Sequence, residues 1–473
     1  MTDYPQPEAV FRYFSEIAAI PHGSGNTAKL RQWALDTAAR LSLDAYADEA
    51  GNVIIRKHAS PGYEQHPHVI LQGHLDMVCA KLPDCKKDMD TEGIDLILDG
   101  EFLRADGTTL GGDDGIAIAY AFAVLESASI QHPPLTAVFT VDEETGMDGA
   151  SALSTDALEG SYLINIDSEE EGVFTVGCAG GVRVHMQYPA ETEAAAGSCL
   201  RIVVSGLTGG HSGAEIHKPL LNANVVMTQI LSAVSVPVRL AAWEGGVRDN
   251  VIPTECEATL YCSNTSEAKQ AIEAEAQRIR CANPGETGFT VKITACSRSE
   301  EHALTAASSE KLLHALRKLP NGVQKMNEAL HMPETSLNLG IFSLRENCMH
   351  VDALLRSGIN AEKNALAAKL HSLVHAAGGT SSESGSYPAW EYTPGTALEQ
   401  TAAAVFAAVY GRKPIIQTIH AGLECGILSA KAPQLQCISV GPDLLDIHTP
   451  RERLSIPSAE RTWKFLLALL KAL

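Results

Sequence analysis

Four short stretches of the chain carry residues able to hold divalent cations. They are "GHLDMV" with His74 and Asp76, "GGDDGIAIA" with Asp113 and Asp114, "VDEETGMDGA" with Glu143 and Glu144, and "NIDSEEEG" with Asp167. Imidazole combined with carboxylate suits Zn²⁺ or a similar divalent ion. Taken singly these residues have plainer readings, because an aspartate at a helix start is usually a cap and acidic residues after a strand usually face water. Taken together they do not, since several carboxylates gathered in one place repel one another strongly unless cations neutralise them. A two-metal hydrolytic centre needs a carboxylate that bridges, several terminal ligands, and a free base beside the bridging water. Asp113 suits the bridge, because flanking glycines let the backbone approach closely. Of Glu143 and Glu144, one would ligate and the other accept a proton. His74 would bind metal while Asp76 holds its other ring nitrogen.

These stretches lie where apolar runs stop: 69–71 leads to His74, 135–141 to the acidic pair, and 162–166 to Asp167. In open α/β sheets ligands bind beyond the carboxyl ends of the strands, so groups remote in sequence can converge there. Asp113 and Asp114 open an apolar helix, where the dipole favours negative charge. Extended runs alternate with helical patterns over the first 180 residues or so. That alternation predicts an α/β fold with a mixed, mostly parallel sheet and helices on both faces. The character changes near Gly180, and "GGTSSESGSYPA" at 378–389 reads as a second linker. We therefore expect 1–182 and 391–473 to form one discontinuous catalytic domain, with 183–390 inserted as a separate α+β domain.

The balance of 36 Lys and Arg against 57 Asp and Glu, a net charge of −21, argues against nucleic acid as a partner. The apolar run at 115–125 is too short to cross a bilayer. The opening "MTDYPQPEAVFRYF" lacks the pattern of a secretory signal, so a cytoplasmic location is expected. Eleven cysteines are scattered without a CxxC pair, which predicts reduced thiols rather than a disulfide framework.

The four motifs, in this order, resemble the successive metal motifs of the co-catalytic zinc peptidases that include carboxypeptidase G, peptidase T and the carnosinases. Within that family the wording is most similar to the bacterial aminoacyl-histidine (Xaa-His) dipeptidases. The similarity continues through "GLTGGHSGAEIH", "SYPAWEYTPG", "IHAGLECG" and "VGPDLLDIHTPRE", so it covers nearly the whole chain. The resemblance implies one metal held by His74 and Asp167, a second by Glu144 and His448, and Asp113 between them. It makes Glu143 the general base, Asp76 the partner behind His74, and the insert a lid. His448 is implied by the resemblance alone, since a histidine in a loop before a helix is more often a surface residue.

The same resemblance assigns His211 to oxyanion stabilisation, Asn250 to an accompanying polar contact, and Arg356 to the substrate carboxylate, for which a planar guanidinium is suited. Glu424 is retained as a substrate contact near the site. The expected activity is two-metal hydrolysis of small peptides, with a preference for Xaa-His (carnosine-like) dipeptides. The cofactors would be two divalent ions, Zn²⁺ ahead of Mn²⁺ or Co²⁺, and the enzyme a homodimer. The alternatives are a same-fold aminotripeptidase, deacylase or broad β-alanyl dipeptidase, and a non-catalytic metal-binding scaffold.

Overall fold

The computed structural model describes residues 4–296, 302–328 and 330–473. The chain divides into two units. One runs to Gly177 and resumes at Tyr392–Thr418 and Leu423–Leu473; the other comprises Cys178–Glu391 and Ile419–Gly422. The first break thus falls a few residues before the 182/183 position read from the sequence, and the four residues 419–422 go with the insert.

The first unit is built on an eight-stranded mixed sheet. Its strands run in the order Asp44–Ala47, Val53–Lys57, Leu135–Thr140, Val69–His74, Tyr162–Asn165, Gln436–Ser439, Val173–Cys178 and Ile415–Ile419. Pairing is parallel at the centre, where Val69–His74 lies between Leu135–Thr140 and Tyr162–Asn165, and Gln436–Ser439 continues beside Tyr162–Asn165. It is antiparallel toward the edge that carries Val53–Lys57 and Asp44–Ala47. Every residue of Val69–His74 and Leu135–Thr140 is buried, as strands covered on both faces must be, and this is why they read as continuous apolar runs. The helix Gly112–Glu126 is buried almost all round. Its Phe122 stacks on Phe139 of the sheet at 5.7 Å and meets Trp33 edge-on at 4.9 Å. Such aromatic pairs contribute about 0.5–1.5 kcal/mol each beyond their burial.

The parallel centre positions the chemistry. Three neighbouring strands point the same way, so their carboxyl ends share one edge. The register sets His74 against Thr140 and Gln72 against Asn165, which brings the residues just past each strand to one level.

The second unit is an antiparallel sheet running from Thr290–Cys296 at one edge to Thr380–Tyr387 at the other. Strand Gly180–Pro189 shows the alternation this requires: Val182, Val184, Met186 and Tyr188 are buried, while Arg183 and Gln187 are exposed. The inward residues share a core with Leu366, Leu370 and Val374 of the helix Asn360–Ala376. The expectation of reduced thiols is corrected at one place. Cys199 and Cys296 lie directly opposite on paired antiparallel strands, Cα atoms 5.2 Å apart, and form a disulfide. They are 97 residues apart in sequence, and only the strand register makes them neighbours. Among the described residues no helix is long and apolar enough to cross a membrane.

Candidate metal centre

His74 closes its strand with the ring fully buried and its Nε2 turned toward acid: 3.0 Å from Asp113 Oδ1 and 3.6 Å from Asp167 Oδ1. The other oxygen of Asp113, Oδ2, lies 3.2 Å from His448 Nε2, which is itself 3.0 Å from Glu144 Oε1. One carboxylate thus presents its two oxygens to two separate groups, His74 with Asp167 and His448 with Glu144. Asp113 and Asp114 depart from helical φ/ψ although they lie in the first turn of Gly112–Glu126, so the backbone there follows the site rather than the helix. Asp142 (φ 56°) and His448 (φ 61°) are left-handed, which non-glycine residues adopt rarely and which clusters at functional sites.

The donor set carries more acid than its two imidazoles can balance. Burial raises Asp167 to about 6, with the charges of Asp113 and Glu144 adding to it. Burial and the charge of Asp167 push Asp114 well above the carboxylate range, and burial does the same to Glu143, helped by Asp167, Glu424 and Glu144. Hydrogen bonds to Asp113 and Glu144 lift His448 to about 10. Burial alone would lower His74, but Asp113, Asp167 and Asp76 outweigh it and hold the ring well above the usual histidine range. Among the described residues the buried Asp114 Oδ1 has no hydrogen-bond partner. Burial and mutual repulsion favour the protonated forms of Asp167, Asp114 and Glu143, so the cluster is short of positive charge. His74, Asp113 and Glu144, and His74, Asp114 and Asp167, each converge closely enough to hold one ion. The residues therefore fit a pair of divalent cations, which would take the place of those protons.

Asp76 serves the centre differently from the sequence expectation. The acceptor for His74 Nδ1 is its main-chain oxygen at 2.9 Å, while its carboxylate stands 3.6 Å away. The carboxylate instead accepts the Ser24 hydroxyl (2.7 Å) and the backbone N–H groups of Glu143 (3.0 Å) and Glu144 (3.3 Å). It thereby fixes the start of the short turn that bears both glutamates. Gly25 N–H adds a second tie from the same opening loop, to Asp142 Oδ1 at 2.6 Å.

In the second unit His211, Arg356 and His420 gather around Gly213. A Cβ there would stand 2.5 Å from the His420 carbonyl, 3.0 Å from the His211 ring and 3.3 Å from Arg356 Nε. Ala214 N–H donates to His211 Nδ1 at 3.2 Å, which places the neutral ring's proton on Nε2. Asn250 joins through its main chain, whose carbonyl accepts Ser212 N–H at 2.9 Å. Arg356 is buried, donates to the Tyr387 hydroxyl at 2.9 Å and, among the described residues, has no partner at Nε. Burial, with Arg356 and His217 nearby, drives His420 down to about 3, so it adds no second cation. Among the described residues no carboxylate pairs with this buried guanidinium, and a buried charge of this kind is costly unless an anion meets it.

Residues 70–472 match the family model described as Peptidase family M20/M25/M40. The chain belongs to that family. It is 34% identical over 472 residues to the cytosol non-specific dipeptidase of Escherichia coli (strain K12), covering 98% of this chain and 97% of that one. The crystal structure of aminoacylhistidine dipeptidase from Vibrio alginolyticus superposes with a TM-score of 0.92 at 34% identity, over 99% of this chain and 97% of that one. The aminopeptidase PepT of Bacillus cereus shares the fold at 15% identity, with a TM-score of 0.57 and 99% of each chain covered. The resemblance read from the motifs is thus borne out, as is the α/β fold class.

In this M20/M25/M40 peptidase several residues that the sequence reading passed over belong to the centre. Glu169, two positions past Asp167, is pushed to about 7 by burial first and then by Asp113 and Asp167. Gln72, Thr140 and Asn165 form a polar layer beneath the ligands: Asn165 donates to Gln72 (2.7 Å), and Gln72 and Thr140 both donate to Glu424 Oε2 (2.6 Å each). Gln72 lies two residues before His74 and Asn165 two before Asp167, a readable signal masked because apolar neighbours dominate those strands. Glu424 has no exposed surface to offer a substrate, and among the described residues its Oε1 has no partner.

Burial holds the Glu424 carboxyl at about 7 against an ordinary 4.5. The folded state therefore keeps this proton more tightly than the unfolded chain. The associated stability is present below pH 4.5 and is lost as pH rises toward 7. Glu424→Gln is expected to raise the stability of the metal-free protein at pH 8 by about 1–3 kcal/mol while leaving it nearly unchanged at pH 4.5. Calorimetric melting at the two pH values checks this; equal shifts at both would show that the residue is not held neutral.

Proposed function

We propose that the protein hydrolyses dipeptides at a two-metal centre, with Xaa-His (carnosine-like) dipeptides preferred. The observation that carries the reading is the split of Asp113 between the His74 and His448 sides of one acidic cluster. His74 and Asp167 would hold one ion, Glu144 and His448 the other, and Asp113 both. When bound, the two cations supply Lewis acidity that acidifies a water and polarises the scissile carbonyl. Zn²⁺ suits this donor set, as do Mn²⁺ and Co²⁺.

Glu143 would take the proton of the attacking water and return it to the departing amine. Arg356 would take the substrate's carboxylate, His211 would donate its Nε2–H to the oxyanion, and Asn250 would supply an accompanying polar contact. The Xaa-His preference is supported by the name of the Vibrio alginolyticus relative. The Escherichia coli relative is named non-specific, which favours a second, broader dipeptide reading. A cytosolic location draws on that same name, and a homodimer remains the proposed assembly.

Chelator treatment is expected to abolish turnover, and Zn²⁺, Mn²⁺ or Co²⁺ to restore it. Assays of the restored enzyme on carnosine, a dipeptide without histidine, a tripeptide and an N-acyl amino acid separate the readings. Turnover that survives complete metal removal would refute the two-metal proposal. Cleavage of the tripeptide or acyl substrate ahead of both dipeptides would refute the dipeptidase reading.

A further inference from the structure

Glu452 is nearly fully buried, and its carboxylate receives a run of consecutive backbone N–H groups. Oε2 accepts from Leu110 (2.8 Å) and Gly111 (3.1 Å), and Oε1 from Gly112 (2.8 Å) and, at longer range, Asp113 (3.4 Å). These are the N–H groups at a helix start that the helix itself leaves unpartnered. Gly111 reaches its place with φ 68°, a conformation that favours glycine. At Gly112 a Cβ would stand 3.2 Å from Glu452 Oε1 and 2.5 Å from Leu444 Cδ2, so the carboxylate and its neighbour close directly over the glycine.

Two further facts make this more than a cap. Asp113 has non-helical φ/ψ, so the helical ladder does not fix where its side chain points; the preceding loop does, and Glu452 holds that loop. Glu452 also lies four residues after His448, in a turn closed by Glu452 N–H to the Thr449 carbonyl at 3.0 Å. One short segment therefore supplies the imidazole that faces Asp113 Oδ2 and the carboxylate that anchors the Asp113 backbone.

We infer that Glu452 is a positioning residue for the bridging carboxylate, locking the 110–113 loop and His448 into one unit so that both oxygens of Asp113 stay aimed at separate cations. The inference rests on the two-metal reading above. Groups that hold metal ligands in place typically change metal affinity about 10–100-fold when altered.

The test titrates chelator-treated, full-length wild type, Glu452→Gln and Gly112→Ala with Co²⁺, following calorimetric heats and the visible spectrum, and then measures dipeptide turnover at saturating Co²⁺. Wild type is expected to bind two ions. In Glu452→Gln, affinity for at least one ion should fall about tenfold or more, the visible bands should change, and kcat should drop by about the same factor with KM within about threefold. Gly112→Ala crowds the carboxylate without removing it and should show the same signature to a smaller extent. A lowered melting temperature with wild-type Co²⁺ affinities and spectrum would mark a simple helix cap and overturn the inference. If Glu452→Gln does not fold, Gly112→Ala alone decides by the same criterion. Failure of the wild type to bind two ions would overturn the two-metal reading and this inference together, an outcome distinct from normal wild-type binding with unaffected variants.

Discussion

Glu143→Gln is expected to lower kcat by about 10²–10⁴-fold while metal content and KM stay close to wild type. The amide has the shape of the carboxylate but cannot accept the water's proton. Glu143 lies outside both groups of candidate ligands, so its loss would remove the proposed base and not the ions. Its backbone is held by Asp76 through the Glu143 N–H, which the substitution leaves in place. Steady-state kinetics with metal analysis of the same sample checks this. Turnover within about tenfold of wild type would move the base elsewhere, and Glu169, held near 7, is the residue to try next.

The largest effect on the ions is expected from Asp113→Ala. The oxygens of Asp113 stand 3.0 Å from His74 Nε2 and 3.2 Å from His448 Nε2, so this one carboxylate faces both imidazoles through separate atoms. In the proposed two-metal centre, removing it would take a ligand from both ions and the negative charge between them. Changes outside the immediate ligands already cost about 10–100-fold in affinity, so losing the bridge should exceed about 100-fold for at least one ion and lower kcat/KM at limiting metal by at least that factor. The free protein bears on this too. Burial works against its charge, yet the imidazoles of His448 and His74 keep Asp113 ionised well below the usual carboxylate range, so the alanine variant loses that mutual attraction even without metal. Calorimetric titration with Zn²⁺ or Co²⁺ measures the loss. Two ions bound with wild-type affinity would remove Asp113 from the bridging position.

The parts legible beforehand and the parts that were not differ in a physical way. His74, Glu144 and Asp167 stand at or just past the ends of buried strands, where an apolar run that stops on an acid or an imidazole is visible without neighbours. The α/β class followed from the same alternation. His448 lies in an irregular turn with nothing periodic around it, and only the family resemblance singled it out. Asp76 illustrates a partial reading. Its type and spacing behind His74 suggested an imidazole partner, but the ring is met by the backbone oxygen, and the carboxylate is committed to Ser24 and the turn at Glu143. That choice depends on a loop some fifty residues earlier.

Composition, periodicity and motif order by themselves determined that this chain forms an acidic α/β protein whose strand ends carry imidazole and carboxylate, because side-chain type and local spacing are properties of short segments. Tertiary structure alone decided which oxygen of Asp113 meets which histidine, that Glu452 caps the loop bearing it, that Arg356 is buried beside the Tyr387 hydroxyl, and that Cys199 and Cys296 are bonded. Each of these depends on the register and direction of elements up to several hundred residues apart. Hydrogen bonds act over about 3 Å and a disulfide bond over about 2 Å, distances that sequence spacing does not encode.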